Sequence, residues 1–165
     1  MIRPRKEIAA ERESAAQLSA FIGSRRTGVK KRTPPSISDR VWDALKEEAR
    51  AFAQSGTWEG ASPRHFVALY DQMHEKVYGV ACAELDKSAR FFVSCKAKTM
   101  LDQQFTGDAG AMAAFFRWTW QREEWKEKNG KNDGGWRVTP WQQFNGKILT
   151  DYRVDLERQH RRTGT

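Results

Sequence analysis

Cysteine is scarce in this 165-residue chain: there are two, Cys82 and Cys95. Thirteen positions separate them in sequence that reads as helical. At about 100° per residue they point roughly 220° apart and cannot pair unless the helix breaks between them. The chain therefore does not read as a disulfide scaffold, and both thiols are expected to be buried and inert. No apolar run approaches the ~18 residues that a membrane span needs. Met1-Ile2-Arg3-Pro4-Arg5-Lys6 is basic, but Glu7, Glu11, Arg12 and Glu13 occupy the place where a signal peptide carries its apolar stretch. The expectation is an intracellular, cytoplasmic protein with no membrane partner.

Catalytic signatures are lacking as well. The sequence has no G-x-x-x-x-G-K-[ST] loop, no G-x-G-x-x-G turn, no G-x-S-x-G elbow, no C-x-x-C pair and no H-E-x-x-H. Its three histidines, His65, His74 and His160, make no metal pattern, since His65 and His74 fall on opposite sides of one helix. Glu84 and Asp86 precede Lys87, but a nuclease needs carboxylates on a strand edge with a third metal ligand, and this stretch reads as helical. No cofactor, no metal and no catalysis are expected.

What the chain does hold is positive charge and large rings. The net charge is +8, and aromatic residues make up 12% of the sequence, with seven Trp. Residues 1–35 carry nine Lys/Arg against three Glu, residues 36–130 carry 13 against 14 acids, and residues 131–165 carry seven against four. A nearly neutral body with a cationic excess at both ends is a layout suited to phosphate contact. Three regions follow: a basic N-terminal arm over 1–35, a helical core domain over 36–130, and a C-terminal element with a basic tail over 131–165.

Residues 5–22 carry a thin apolar stripe of Ile8, Ala15, Leu18, Phe21 and Ile22. The stretch from Gly23 to Pro35, with its glycines, paired prolines and cations, reads as an extended basic linker. Val41, Trp42, Leu45, Ala49 and Phe52 recur at helical spacing after a cap at Ser36 or Ser38, with an end near Gln54 before Gly56. Ser62-Pro63 opens a second helix, which carries Phe66, Tyr70, Met73 and Val77 and runs on toward Val80 or Ala81. Gly79 and Ala83 either permit a close helix–helix approach or have no role. A break near 86–88 is preferred over one helix spanning 63–105, with Ser88 as the new cap. Asp108 caps a helix over 109–128. Phe66, Met73, Val77, Phe91, Phe92, Phe115 and Trp118 are expected in the core. Asn145-Gly146 is a strong hairpin signal, and Ile148, Thr150, Tyr152 and Val154 alternate beyond it. A competing helical face of Leu149, Tyr152 and Leu156 is the second choice. The fold class is thus mainly α: a bundle of four or five helices, a basic arm and a small C-terminal β-hairpin-like element. Element order resembles a winged helix-turn-helix, with helix 109–128 in the recognition position.

The candidate binding residues combine cations with rings. Arg25, Arg26, Lys30, Lys31 and Arg32 would follow phosphates from the arm. Arg117, Arg122, Lys126 and Lys128 line the wet side of helix 109–128, whose aromatic stripe reads as core, and Lys131 follows in the next loop. Trp136, Arg137 and Trp141 form either a stacking platform for bases or a cap on the core. The function expected is a non-catalytic, nucleic-acid-binding accessory protein for DNA or RNA. The rival reading is a structural or adaptor subunit, such as an assembly protein of a virus or mobile element, whose Trp-rich surface binds protein within a larger complex.

Deletion of residues 1–35 is expected to leave the melting transition almost unchanged, because the arm has too few apolar residues to hold a core. It should also flatten the salt dependence of nucleic-acid affinity, each lost phosphate contact removing ~0.7–0.9 from the log–log slope. Anisotropy titrations at several salt concentrations check this.

Overall fold

Helix boundaries in the computed structural model, which describes residues 33–132 and 137–164, follow capping chemistry. Among the described residues there are six helices: α1 (Asp39–Ser55), α2 (Pro63–Tyr78), α3 (Lys87–Gln104), α4 (Ala109–Lys128), α5 (Pro140–Gln143) and α6 (Lys147–Thr163). The Asp86 carboxylate accepts from the backbone N–H groups of Ser88 and Ala89 at the start of α3, and Asp108 accepts from Ala111 N–H at the start of α4. These acidic caps satisfy donors the helix itself leaves free. Gly56 and Gly79 end α1 and α2 in the left-handed region, at φ 71° and 73°, a conformation that costs any residue with a Cβ. Gly79 is thus a helix stop rather than a packing notch, and α2 ends there instead of continuing to Ala81.

α2 is the centre of the fold. Every residue from His65 through Asp71 is buried, so this stretch has no wet side, and α1, α3 and α4 pack around it. A run of ring contacts binds the layers. Trp58 stacks on Phe66 at 5.1 Å, Phe66 meets Phe116 at 5.5 Å, and Phe116 meets Phe144 at 5.4 Å. Aromatic pairs at these separations add to the area they bury. One carboxylate fixes α1 on α2: buried Asp71 accepts from Trp42 Nε1 at 3.1 Å and pairs with Lys46 at 2.7 Å. All six helices belong to one compact unit, Pro35–Thr165.

Several sequence expectations change here. No strand forms among the described residues, and the hairpin is replaced by α6. Gly146, at φ 90°, is the N-cap of that helix, and Asn145 Oδ1 accepts from Lys147 N–H. A hairpin needs a strand on both sides of its turn, but Thr139 and Pro140 start α5 with a reciprocal capping box just before it. The Leu149, Tyr152 and Leu156 face therefore wins, with Leu149 buried on the core. The winged arrangement falls with its wing. Phe92 is 48% exposed, because α3 turns Val93, Ala97, Met100 and Leu101 inward instead. Phe91, Met73 and Val77 are half-buried against the core. The thiols also differ: Cys82 is buried in the loop between α2 and α3, whereas Cys95 is exposed on α3, and both are free. No helix among the described residues is long and apolar enough to cross a membrane.

The two phenylalanines should separate cleanly in chemical denaturation. Phe66→Ala is expected to cost ~3–5 kcal/mol through the cavity it leaves, and Phe92→Ala less than about 1 kcal/mol, as for a surface change.

Candidate functional site

α4 and α6 lie antiparallel and touch at regular intervals. Trp118 Nε1 donates to Asp155 at 3.0 Å, and one turn on, Arg122 pairs with Asp151 at 3.3 Å. Four residues further along α4 stands Lys126, and four residues back along α6 stands Lys147. This third rung has a cation on each helix where the first two have a donor facing a carboxylate. An open groove follows the rungs. One stretch, of about 650 Å³, is lined by Trp118, Gln121, Arg122, Asp151, Asp155 and Arg158. The next, of about 150 Å³, shares Arg122 and Asp151 and adds Glu123, Lys126, Arg137 and Lys147.

Arg137 reaches this groove because its neighbour is clamped. Tyr70 Oη donates to the carbonyl of Val138, and Val138 N–H donates to Tyr78 Oη at 3.2 Å. Both polar groups of one residue are thereby satisfied by two side chains of α2, and Val138 is buried. The Tyr78 hydroxyl in turn donates a hydrogen bond to Glu123 Oε2 at 2.9 Å, and the other Glu123 oxygen pairs with Lys126. Glu123 is 3% exposed, a burial that a carboxylate tolerates when both oxygens have partners. The Arg137 guanidinium stands 5.2 Å over the Tyr78 ring, within cation–π range. Burial pushes both tyrosine hydroxyls well above their ordinary range.

Charge in the second stretch is unbalanced. Arg122, Lys126, Arg137 and Lys147 face Glu123 and Asp151, a surplus of two positive charges (four against two) within one short groove. Arg122 and Lys126 are tied to those two acids. Arg137 and Lys147 pair with no carboxylate among the described residues.

Three of the cations expected from sequence, Arg122, Lys126 and Arg137, are thus brought together, and the other described ones, Arg117, Lys128 and Lys131, do not line this stretch. Arg117 is exposed at the edge of a small cavity with Trp58 and Trp120. Lys128 pairs with Glu124 at 3.0 Å, and that bond holds the Glu124 carboxyl below its ordinary range. Lys131 is exposed. Trp141 is 42% exposed on α5, whereas Phe144 is core. On α4, Trp120 is buried, Trp118 half-buried and Trp125 58% exposed. Arg25, Arg26, Lys30, Lys31, Arg32 and Trp136 lie outside the described residues. Arg158, which sequence reasoning missed, belongs to α6 together with Lys147; the helical spacing of Leu149, Tyr152 and Leu156 was the signal for their placement.

His65 and His74 are structural. His65 Nδ1 accepts from Ser62 N–H at 2.8 Å, which leaves Nε2 to donate to Glu48, and His74 Nδ1 faces the carbonyl of Val80 at 2.8 Å. Among the described residues no three His, Cys, Asp or Glu side chains are placed to hold a metal ion. No family model matches the chain, no curated protein matches its sequence, and no solved structure matches its fold.

The tyrosine clamp gives stability an alkaline limit. Unfolded tyrosines lose their protons near pH 10, while Tyr70 and Tyr78 in the folded protein keep theirs to higher pH. Above about pH 10 the unfolded state therefore binds fewer protons and stability falls, and below it the contribution is intact. Melting temperature should drop steadily from about pH 10 upward. Tyr78→Phe should lower the starting stability, by losing two hydrogen bonds, yet weaken that alkaline slope. Circular dichroism melts across pH 8–12 read both.

Proposed function

We propose that this protein binds nucleic acid without catalysis, as an accessory to a larger assembly, with phosphates lying along the groove between α4 and α6. The observation that carries the reading is the convergence of Arg122, Lys126, Arg137 and Lys147 on one stretch of that groove. Two of them have no acid partner among the described residues, so a phosphate would meet cations without having to break an ion pair. Contacts of this kind position a protein on a nucleic acid without reading sequence. The basic segment with Arg25, Arg26, Lys30, Lys31 and Arg32 would add phosphate contacts of its own, and exposed Trp141 would stack on unpaired bases.

A structural or adaptor role is the second reading, favoured by the exposure of Trp125 and Trp141. Tryptophans anchor protein interfaces as readily as they stack on bases.

Arg137→Ala and Lys147→Ala test the proposal without harming the fold, since neither leaves a buried charge behind. Lys126→Ala would strand Glu123 and is the wrong variant. Each of the first two should remove ~0.7–0.9 from the salt slope of binding to random oligonucleotides, and Trp141→Ala should weaken single-strand binding by ~1–3 kcal/mol. Unchanged nucleic-acid binding in all three would favour the adaptor reading. Wild-type affinity weaker than ~100 μM at physiological salt, the weak end of non-specific binding, would sink the nucleic-acid reading.

A further inference from the structure

The cationic surplus of the groove is local. In the stretch of about 150 Å³ four cations face two acids, whereas the neighbouring stretch of about 650 Å³ sets Arg122 and Arg158 against Asp151 and Asp155. A strand laid along the whole groove would soon leave the positive stretch and meet a balanced one. The positive stretch therefore suits one compact anion better than a run of them.

A neutral side chain there also donates. Gln142 of α5 lines the stretch, and its Oε1 accepts from Thr139 N–H at 3.0 Å within the capping box. That contact orients the amide and leaves its NH₂ group, which can only donate, without a partner among the described residues. α6 begins at the same place. Its first two residues, Lys147 and Ile148, line the stretch, and the N-cap, Gly146, has no side chain to accept from the first turn. A helix start carries about half a positive charge and receives anions on its free N–H groups.

We infer that this stretch receives the terminal phosphate of a nucleic-acid strand, with Arg137 and Lys147 pairing its oxygens, Gln142 donating to it and the start of α6 adding its dipole. The inference rests on the nucleic-acid reading above and names the chemical group that this stretch takes. Charge sets the choice. The surplus is two (four cations against two acids), and a terminal phosphate monoester carries about −1.5 to −2 at pH 7. An internal phosphodiester carries a single charge and would leave half of the surplus unanswered. Size agrees: a cavity of about 150 Å³ accepts one group as large as a benzene ring, room for a phosphate but not for a run of nucleotides.

The test uses the full chain and one single-stranded oligonucleotide with hydroxyls at both ends, with a 5′-phosphate or with a 3′-phosphate, beside a nucleoside monophosphate. Phosphorylation of at least one end should raise affinity about fivefold or more. That gain should fade between about pH 7.5 and 5, because the monoester takes up its second proton near pH 6. The charged groups lining the site are Arg122, Glu123 and Lys126 on α4, Arg137 before α5, and Lys147 and Asp151 on α6. Both strands meet the same groups, so the ratio of affinities isolates the phosphate. Arg137→Ala, Lys147→Ala and Gln142→Glu, the last of which keeps the capping oxygen but adds a negative charge, should each cut the gain by about half or more with the melting temperature unchanged. Absence of any gain at either end would overturn the inference, while binding of the hydroxyl-ended strand would leave the nucleic-acid reading standing. A gain that all three variants retain would put the phosphate elsewhere and overturn it too. A monophosphate bound as tightly as the phosphorylated strand would make the ligand a free nucleotide and overturn the assignment to a strand end. Wild-type protein that binds no strand even at low salt would remove the nucleic-acid reading itself.

Discussion

The backbone of Val138 is held at both ends by α2, and much of the molecule beyond α4 depends on that grip. Tyr70 and Tyr78, two turns apart on the most buried helix, take its carbonyl and its N–H respectively. A buried peptide group without such partners would cost about 1–3 kcal/mol for each lost bond. With them, a segment that has no regular structure of its own can lie against the core. Thr139 and Pro140 then begin α5, Phe144 fills the aromatic run, and α6 is delivered to α4. Arg137 lies above Tyr78 because the next residue cannot move.

Much of the helical frame was legible in the sequence, and the reasons for the misses are physical. α4 follows its cap at Asp108 and its stop before Asn129, and α1 ends before Gly56, as periodicity and capping imply. α3 misled because Phe92 faces outward and Phe91 is only half-buried at the core's edge, while small Ala97 and Ser94 are buried. Hydrophobicity alone favours the phenylalanines; close approach of two helices favours the small side chains. α6 misled because its residues suit both strand and helix, and only the prior commitment of Thr139-Pro140 to a helical turn decides between them. That error had a cost at the site. With α6 read as a wing, Lys147 and Arg158 had no reason to join Arg122, whereas Arg122, Lys126 and Arg137 could be picked out as cations beside aromatic residues.

Formal charge is a poor guide to the field of this surface. α4 is rich in cations, yet Lys126 and Lys128 are each engaged by a carboxylate three or four residues earlier on the same helix, and Arg122 by Asp151 across the groove. Such pairs contribute little stability when exposed, but they cancel much of the field that a distant phosphate would feel. The positive character of the groove comes from the places where pairing runs out, at Arg137 and Lys147. Two residues without an acid partner among the described residues matter more there than several with one.

The rungs between α4 and α6 repeat every four residues, and this repetition leaves electrostatics unable to set the register of the two helices. Slipping α6 along α4 by four residues, about 6 Å, would bring Arg122 opposite Asp155 and Lys126 opposite Asp151, a pairing no worse than the observed one. Shape breaks the tie. Tyr152 sits between Phe115 and Trp118, with ring centroids 5.4 Å from each, and a slip of one turn would drive it out of that notch. Tyr152 thus acts as the detent that charge cannot provide, and it sets how far the arginine-rich end of α6 stands out from the body.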